Sequence, residues 1–168
     1  MFKSIINAFK IPDLRKKILY TIMLMVVFRF GSYVPVPGLD ATALSNAVSN
    51  LDMLGLMDMI SGGALSQATI FAMSITPYIN SSIIMQLLTV AVPALERLSR
   101  QGEEGRKKIG QYTRALTILL AFIQSTGMYF GLKSAVKNPG LMTYFTVILS
   151  LTAGTAFLMW LGEKITDK

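Results

Sequence analysis

From Met59 to Leu95 the chain carries no charged side chain. That run is too long for one membrane crossing, which takes about 20 mostly apolar residues, and too interrupted for two. Gly62-Gly63 and Pro77 break it, and Ser, Thr, Gln and Asn are scattered along it. Irregular backbone at membrane depth is tolerated only where protein or a water-filled cavity surrounds it. Composition supports a membrane setting, because 52% of residues are hydrophobic, only 15% are charged, and the charges are clustered. A soluble domain with such runs would lack the polar surface to cover itself. The expected class is an all-α integral membrane protein.

The chain has no Cys and no His. Disulfide frameworks, Cys or His metal sites and Cys- or His-based catalysis are therefore excluded. Asp40, Asp52, Asp58, Glu96, Glu103, Glu104, Glu163 and Asp167 all lie outside the expected spans. None sits where a proton relay or an intramembrane protease would need it. No enzyme, cofactor or metal is expected. The 11 Met residues read first as gap-fillers in a core.

Four spans are expected, at residues 18–34, 70–93, 115–132 and 142–161. Pro35 and Pro37 stop the first, and Arg29 near its end has a side chain long enough to snorkel or pair. Trp160 suits an interface at the end of the fourth. Lys3, Lys10, Arg15, Lys16 and Lys17 precede the first span. Arg97, Arg100, Arg106, Lys107, Lys108 and Arg114 lie between the second and third, and Lys164 and Lys168 follow the fourth. On the other side lie only Lys133 and Lys137. The positive-inside rule then puts both termini and the loop 94–114 in the cytoplasm, with 35–69 and 133–141 outside and 162–168 as a cytoplasmic end. Most of the net charge of +7 is accounted for by this asymmetry. The basic loop reads first as an orientation signal and second as a docking surface for an acidic or RNA-bearing partner. Residues 1–17, with Phe2, Ile5, Ile6 and Phe9 on one face, read as a short interfacial helix.

Within 35–69, the stretch around Leu54 to Leu65 is apolar but carries Asp52, Asp58 and the glycine pair. A re-entrant half-helix and a loop resting on the outer leaflet fit it equally well. In the second span Pro77 is expected to interrupt the ladder, while Ile75, Ile79, Ile83 and Gln86 fall near one face with Ser82 close by. Polar groups of this density favour a pathway over plain helix packing. Gly127 and Gly131 are a weak sign of close helix contact. A small transporter with a broken-helix solute site is the alternative from a different class.

The segments FRFGSYVPVPG (28–38), SGGALSQATIFAMSITPYINSSIIMQLLT (61–89), QGEEGRKKIGQYTR (101–114) and FLMWLGEKIT (157–166) together resemble the SecY family. These are the channel-forming subunits of the bacterial Sec protein translocase. The resemblance runs the whole chain in order and implies the N-terminal part of a ten-span inverted-repeat channel, inactive alone. It implies a plug at about 53–67, including Met53, Leu56, Met59, Ile60, Ser61, Gly62, Gly63, Ala64, Leu65 and Ser66. It implies pore-ring residues Ile75 and Ile79, and lateral-gate residues Asn80, Ser82, Gln86 and Gln124. The implied function is passage of unfolded secretory polypeptides across the bacterial plasma membrane and lateral insertion of apolar segments. The implied partners are the small membrane subunits SecE and SecG, the motor ATPase SecA or the ribosome on the cytoplasmic side, signal sequences and nascent polypeptides, and lipid.

Overall fold

Among the described residues the first helix is α1 (Pro12–Gly31). The computed structural model describes residues 12–50 and 52–167, so most of the interfacial segment expected at 1–17 lies outside the described residues. Two short helices follow, α2 (Ala41–Asn50) and α3 (Asp52–Ser61). Fourteen residues of turns then lead to α4 (Thr76–Ala91). A bend of 104° separates α4 from α5 (Pro93–Ser99). The long helix α6 (Glu103–Gly131), a 3₁₀ turn (Lys133–Ala135) and α7 (Leu141–Thr166) complete the chain. The expected all-helical class is what the described residues form, with only two isolated β-bridges beside the helices.

α6 packs along both α4 and α7, and α1 leans on α7. Small side chains explain how α6 fits there. Thr113, Thr117, Ala121 and Ser125 recur every fourth residue and are all buried. Thr113 and Thr117 return their hydroxyls to the carbonyls of Ile109 and Thr113, at 2.9 and 2.7 Å, so no polar group is stranded. By contrast, the Gly127/Gly131 spacing marks no close contact among the described residues, because a Cβ at either would meet nothing within 4 Å. The glycines that matter lie elsewhere. A Cβ on Gly154 of α7 would overlap the Ile70 carbonyl, and one on Gly31 of α1 would strike the Phe71 ring.

On length and apolarity α7 qualifies unaided as a membrane span, and α4 with α5 qualifies only as a bent pair. α1 is diluted by Arg15, Lys16, Lys17 and Arg29. Its Leu19, Ile22, Met23, Met25, Val26 and Phe30 are nonetheless exposed. An apolar face of that extent is a surface for lipid or another helix.

Most of the segment 62–75 is enclosed by protein. Ala64, Leu65, Ala68, Thr69, Phe71, Ala72 and Met73 are buried. Phe71 is 1% exposed and stacks between Phe28 of α1, at 5.6 Å between centroids, and Phe157 of α7, at 6.1 Å. Phe157 in turn stacks on Trp160 at 5.8 Å. Burying one such ring stabilises by about 1.5–3 kcal/mol before any stacking preference. Short backbone pairings fix the middle of the segment. Val36 N–H donates to Ala68 O at 2.8 Å and Ile70 N–H to Val34 O at 3.0 Å. Asp40 N–H, on the same stretch, donates to Ala135 O at 2.7 Å, and Lys137 N–H to Gly38 O at 3.0 Å. Residues 34–40 are thus stitched to the chain before α4 on one side and to the 3₁₀ turn on the other.

Candidate functional site

α3 stops at its glycine pair. Gly62 N–H donates to Met59 O at 3.2 Å and Gly63 N–H to Asp58 O at 2.9 Å, the paired pattern of a Schellman cap. Both glycines have positive φ, +66° and +84°, which a side chain would resist. The turn beyond is held by short-range bonds. Ser66 N–H donates to Asp58 Oδ1 at 2.8 Å, Leu65 N–H to Ser61 Oγ at 3.3 Å, and Thr69 Oγ1 to Ala64 O at 3.0 Å. Asp58 is therefore a ligand for the turn, which accounts for an acid beside an apolar helix.

The residues expected in the plug divide into two groups. Leu56, Met59 and Ile60 on α3 are exposed, Met59 by 79%. Ser61, Ala64 and Leu65 are buried, Gly63 and Ser66 half-buried, and Gly62 is exposed. Met53 lies within α3, but its side chain is outside the described residues.

Two residues without the freedom of glycine, Ala68 and Ser74, have φ of 53° and 52°. Such conformations cost about 1–3 kcal/mol each and persist where surrounding packing dictates them. They keep 62–75 from becoming helix. Pro77 accordingly does not interrupt a helix begun at Ile70. It lies in the first turn of α4, where its ring needs no hydrogen bond. Ile75 caps that turn, and its carbonyl accepts Ile79 N–H at 3.1 Å. The two isoleucines are thus one turn apart at the head of α4. Ile75 is partly buried, with its Cδ1 beside Gly162 of α7, whereas Ile79 is 47% exposed.

Of the four residues expected at the gate, two meet. Asn80 of α4 and Gln124 of α6 line a groove of about 260 Å³ with Ile83, Ile84 and Leu120. Ser82 is half-buried and Gln86 exposed, and neither lines that groove. Gln124 also borders a larger apolar cleft of about 560 Å³, walled by Leu54 and Met57 of α3, Met73, Thr76 and Met128. The site is a gap between α3, the head of α4 and α6, with one amide at the junction of two cavities.

The basic residues fall on α5, the turn after it and the first half of α6. Arg100 pairs with Glu96 at 2.6 Å and Arg114 with Glu163 of α7 at 2.7 Å. Among the described residues Arg97, Arg106, Lys107 and Lys108 form no ion pair and remain exposed. The tight turn between α5 and α6 depends on Gly105, where a Cβ would overlap the Leu98 carbonyl.

The sequence pattern of a family described as SecY matches residues 69–168. The chain belongs to the SecY family. It is 45% identical to the "Protein translocase subunit SecY" of Streptomyces scabiei, over all of this chain (100%) and 42% of that protein. It is 48% identical to the SecY of Bacillus subtilis, over 99% of this chain and 40% of that protein. It is likewise 48% identical to the SecY of Buchnera aphidicola subsp. Acyrthosiphon kondoi, over 93% of this chain and 46% of that protein. The chain spans less than half the length of the SecY relatives it matches. SecY membership makes it a membrane protein and decides against the small-transporter alternative.

Some features had no expectation attached. The Phe28–Phe71–Phe157 stack joins three quoted SecY-like segments, yet aromatic content alone does not say which rings meet. Ser81 of α4 and Thr155 of α7 are buried hydroxyls with no partner among the described residues. Only Ser81, amid the polar run of α4, carried any signal in the sequence.

Proposed function

We propose that this chain supplies the N-terminal part of a protein-conducting channel of the bacterial plasma membrane. Four helices cross the membrane, α1, α4, α6 and α7, with both ends of the chain and the α5–α6 loop in the cytoplasm. α3 and its glycine turn form the plug, Ile75 and Ile79 contribute to a constriction, and Asn80, Ser82, Gln86 and Gln124 line the lateral gate. The complete subunit passes unfolded polypeptides outward and releases apolar segments sideways. SecE and SecG flank it, and SecA or the ribosome docks at Arg97, Arg100, Arg106, Lys107, Lys108 and Arg114.

The observation that carries this reading is the largely buried, non-helical segment 62–75, which leads from an exposed, capped helix to two isoleucines at the head of α4. Irregular backbone of this kind is expected only beside protein or a cavity. Apolar side chains one turn apart form part of a ring that gates by dewetting yet yields to a passing chain. The experiment is to replace Ile75 and Ile79 with Gly or Asn in the complete protein and record conductance in planar bilayers. Resting ion leakage should rise. An unchanged leak sinks the constriction assignment.

A further inference from the structure

The cation in the last turn of α1 lies at the tail of α3. Arg29 Nη1 donates to Gly62 O at 3.5 Å, and Nη2 donates to Tyr33 Oη at 3.4 Å. The guanidinium carbon sits 5.4 Å from the Tyr33 ring centre. Gly62 is the left-handed residue just past α3 whose N–H closes the cap, so its carbonyl is a main-chain acceptor in the turn where the helix stops. Among the described residues Arg29 forms no ion pair. It stands over an apolar groove shared with Val26, Phe30 and Tyr33. Its compensation therefore comes from a carbonyl, a tyrosine hydroxyl and an aromatic face, all weak enough to release.

We propose that Arg29 is the catch of the plug, a positioning residue that ties the C-terminal end of α3 to α1 and sets how readily α3 leaves its seat. This rests on the plug reading of residues 53–67. Three features make the contact suited to holding a movable part. It reaches the end of α3 rather than its body, whose Leu56, Met59 and Ile60 are exposed. It grips a main-chain oxygen, so it does not depend on any plug side chain. It also spares the buried turn beyond Ala64, which the Phe71 stack and the pairing to residues 34–36 already fix.

The test uses the complete protein in its assembled translocase, reconstituted in lipid vesicles, with Arg29→Gln, Arg29→Lys and Tyr33→Phe. Two quantities are read in each: hydrogen exchange of the amides of Gly62, Gly63, Leu65 and Ser66, and ion leakage through the resting channel. Arg29→Gln should speed exchange at those amides by about two- to tenfold, the range for losing one hydrogen bond. Leakage should rise with it, and Arg29→Lys should do less of both. Faster exchange with unchanged leakage upholds the catch and overturns the plug reading. Unchanged exchange overturns the catch, and so does exchange that rises equally throughout α1 and α7, which would mean a general structural role. Should Arg29→Gln fail to assemble, Tyr33→Phe decides. It keeps the charge and the ring but removes one hydrogen bond, so faster local exchange supports the catch and no change overturns it.

Discussion

Arg114 Nε donates to Glu163 Oε1 at 2.7 Å, joining α6 to the end of α7 across 49 positions of sequence. The Arg114 side chain is 53% exposed and that of Glu163 22%. Water screens such a pair, so its coupling should be below about 1 kcal/mol despite the short distance. A double-mutant cycle with Arg114→Ala and Glu163→Ala, read by thermal unfolding in detergent, measures it. The coupling should also fall as salt is raised.

Gly154 and Gly127 make opposite predictions from the same residue type. Gly154→Ala places a methyl against the Ile70 carbonyl. Backbone must move to admit it, at a cost of about 1–3 kcal/mol. Gly127→Ala meets nothing within 4 Å and should stabilise α6 by about 0.5–1 kcal/mol through helix propensity. Melting temperatures of the two variants beside the parent check both signs.

The hydroxyls of Ser81 and Thr155 are buried without a partner among the described residues. Removing an unsatisfied buried hydroxyl removes a desolvation cost and no hydrogen bond. Ser81→Ala and Thr155→Val should therefore be neutral or stabilising, by up to about 1 kcal/mol. A loss of stability in either would mean that the hydroxyl has a partner in the assembled protein.

Asp40 caps α2, with Oδ1 accepting from the Thr42 hydroxyl at 2.6 Å and from the Thr42 amide at 2.9 Å. The hydroxyl first, and then the amide, hold the Asp40 carboxyl below its ordinary value of 3.8. The folded value is the lower one, so the stabilisation is complete above the ordinary value. It is lost as the pH falls through the depressed folded value. Protection of the Thr42 amide, its exchange rate relative to an unfolded chain at the same pH, should be full at neutral pH, fall on that acid limb, and lose this dependence in Asp40→Asn.

The all-helical class was legible because apolar runs and clustered charge leave few alternatives in a membrane. The start of α4 was not. Residues 70–75 are apolar except for Ser74 and continuous with the helix that follows, so periodicity runs straight through them. Turns with left-handed Ala68 and Ser74 replace helix there, and only the packing of Phe71 and the pairing to residues 34–36 impose those turns. The residues expected at the gate could be named singly, but which of them share a groove could not. Asn80 and Gln124 share a groove because α4 and α6 pack side by side, a relation that no spacing within either helix contains. Gly62-Gly63 was readable as a break, whereas its role as a helix cap needed the partners Asp58 and Met59.

The stack from Phe28 through Phe71 to Phe157 also orders the chain's assembly in time. A ribosome delivers α1 before the broken segment and the broken segment before α7, so Phe71 gains its second neighbour only when α7 has emerged. Until then the Ile70 carbonyl also lacks Gly154 against it. The nascent broken segment is half-sheltered for the whole synthesis of α4, α5 and α6. Its maturation should therefore wait on synthesis of the helices between, timed by the arrival of α7.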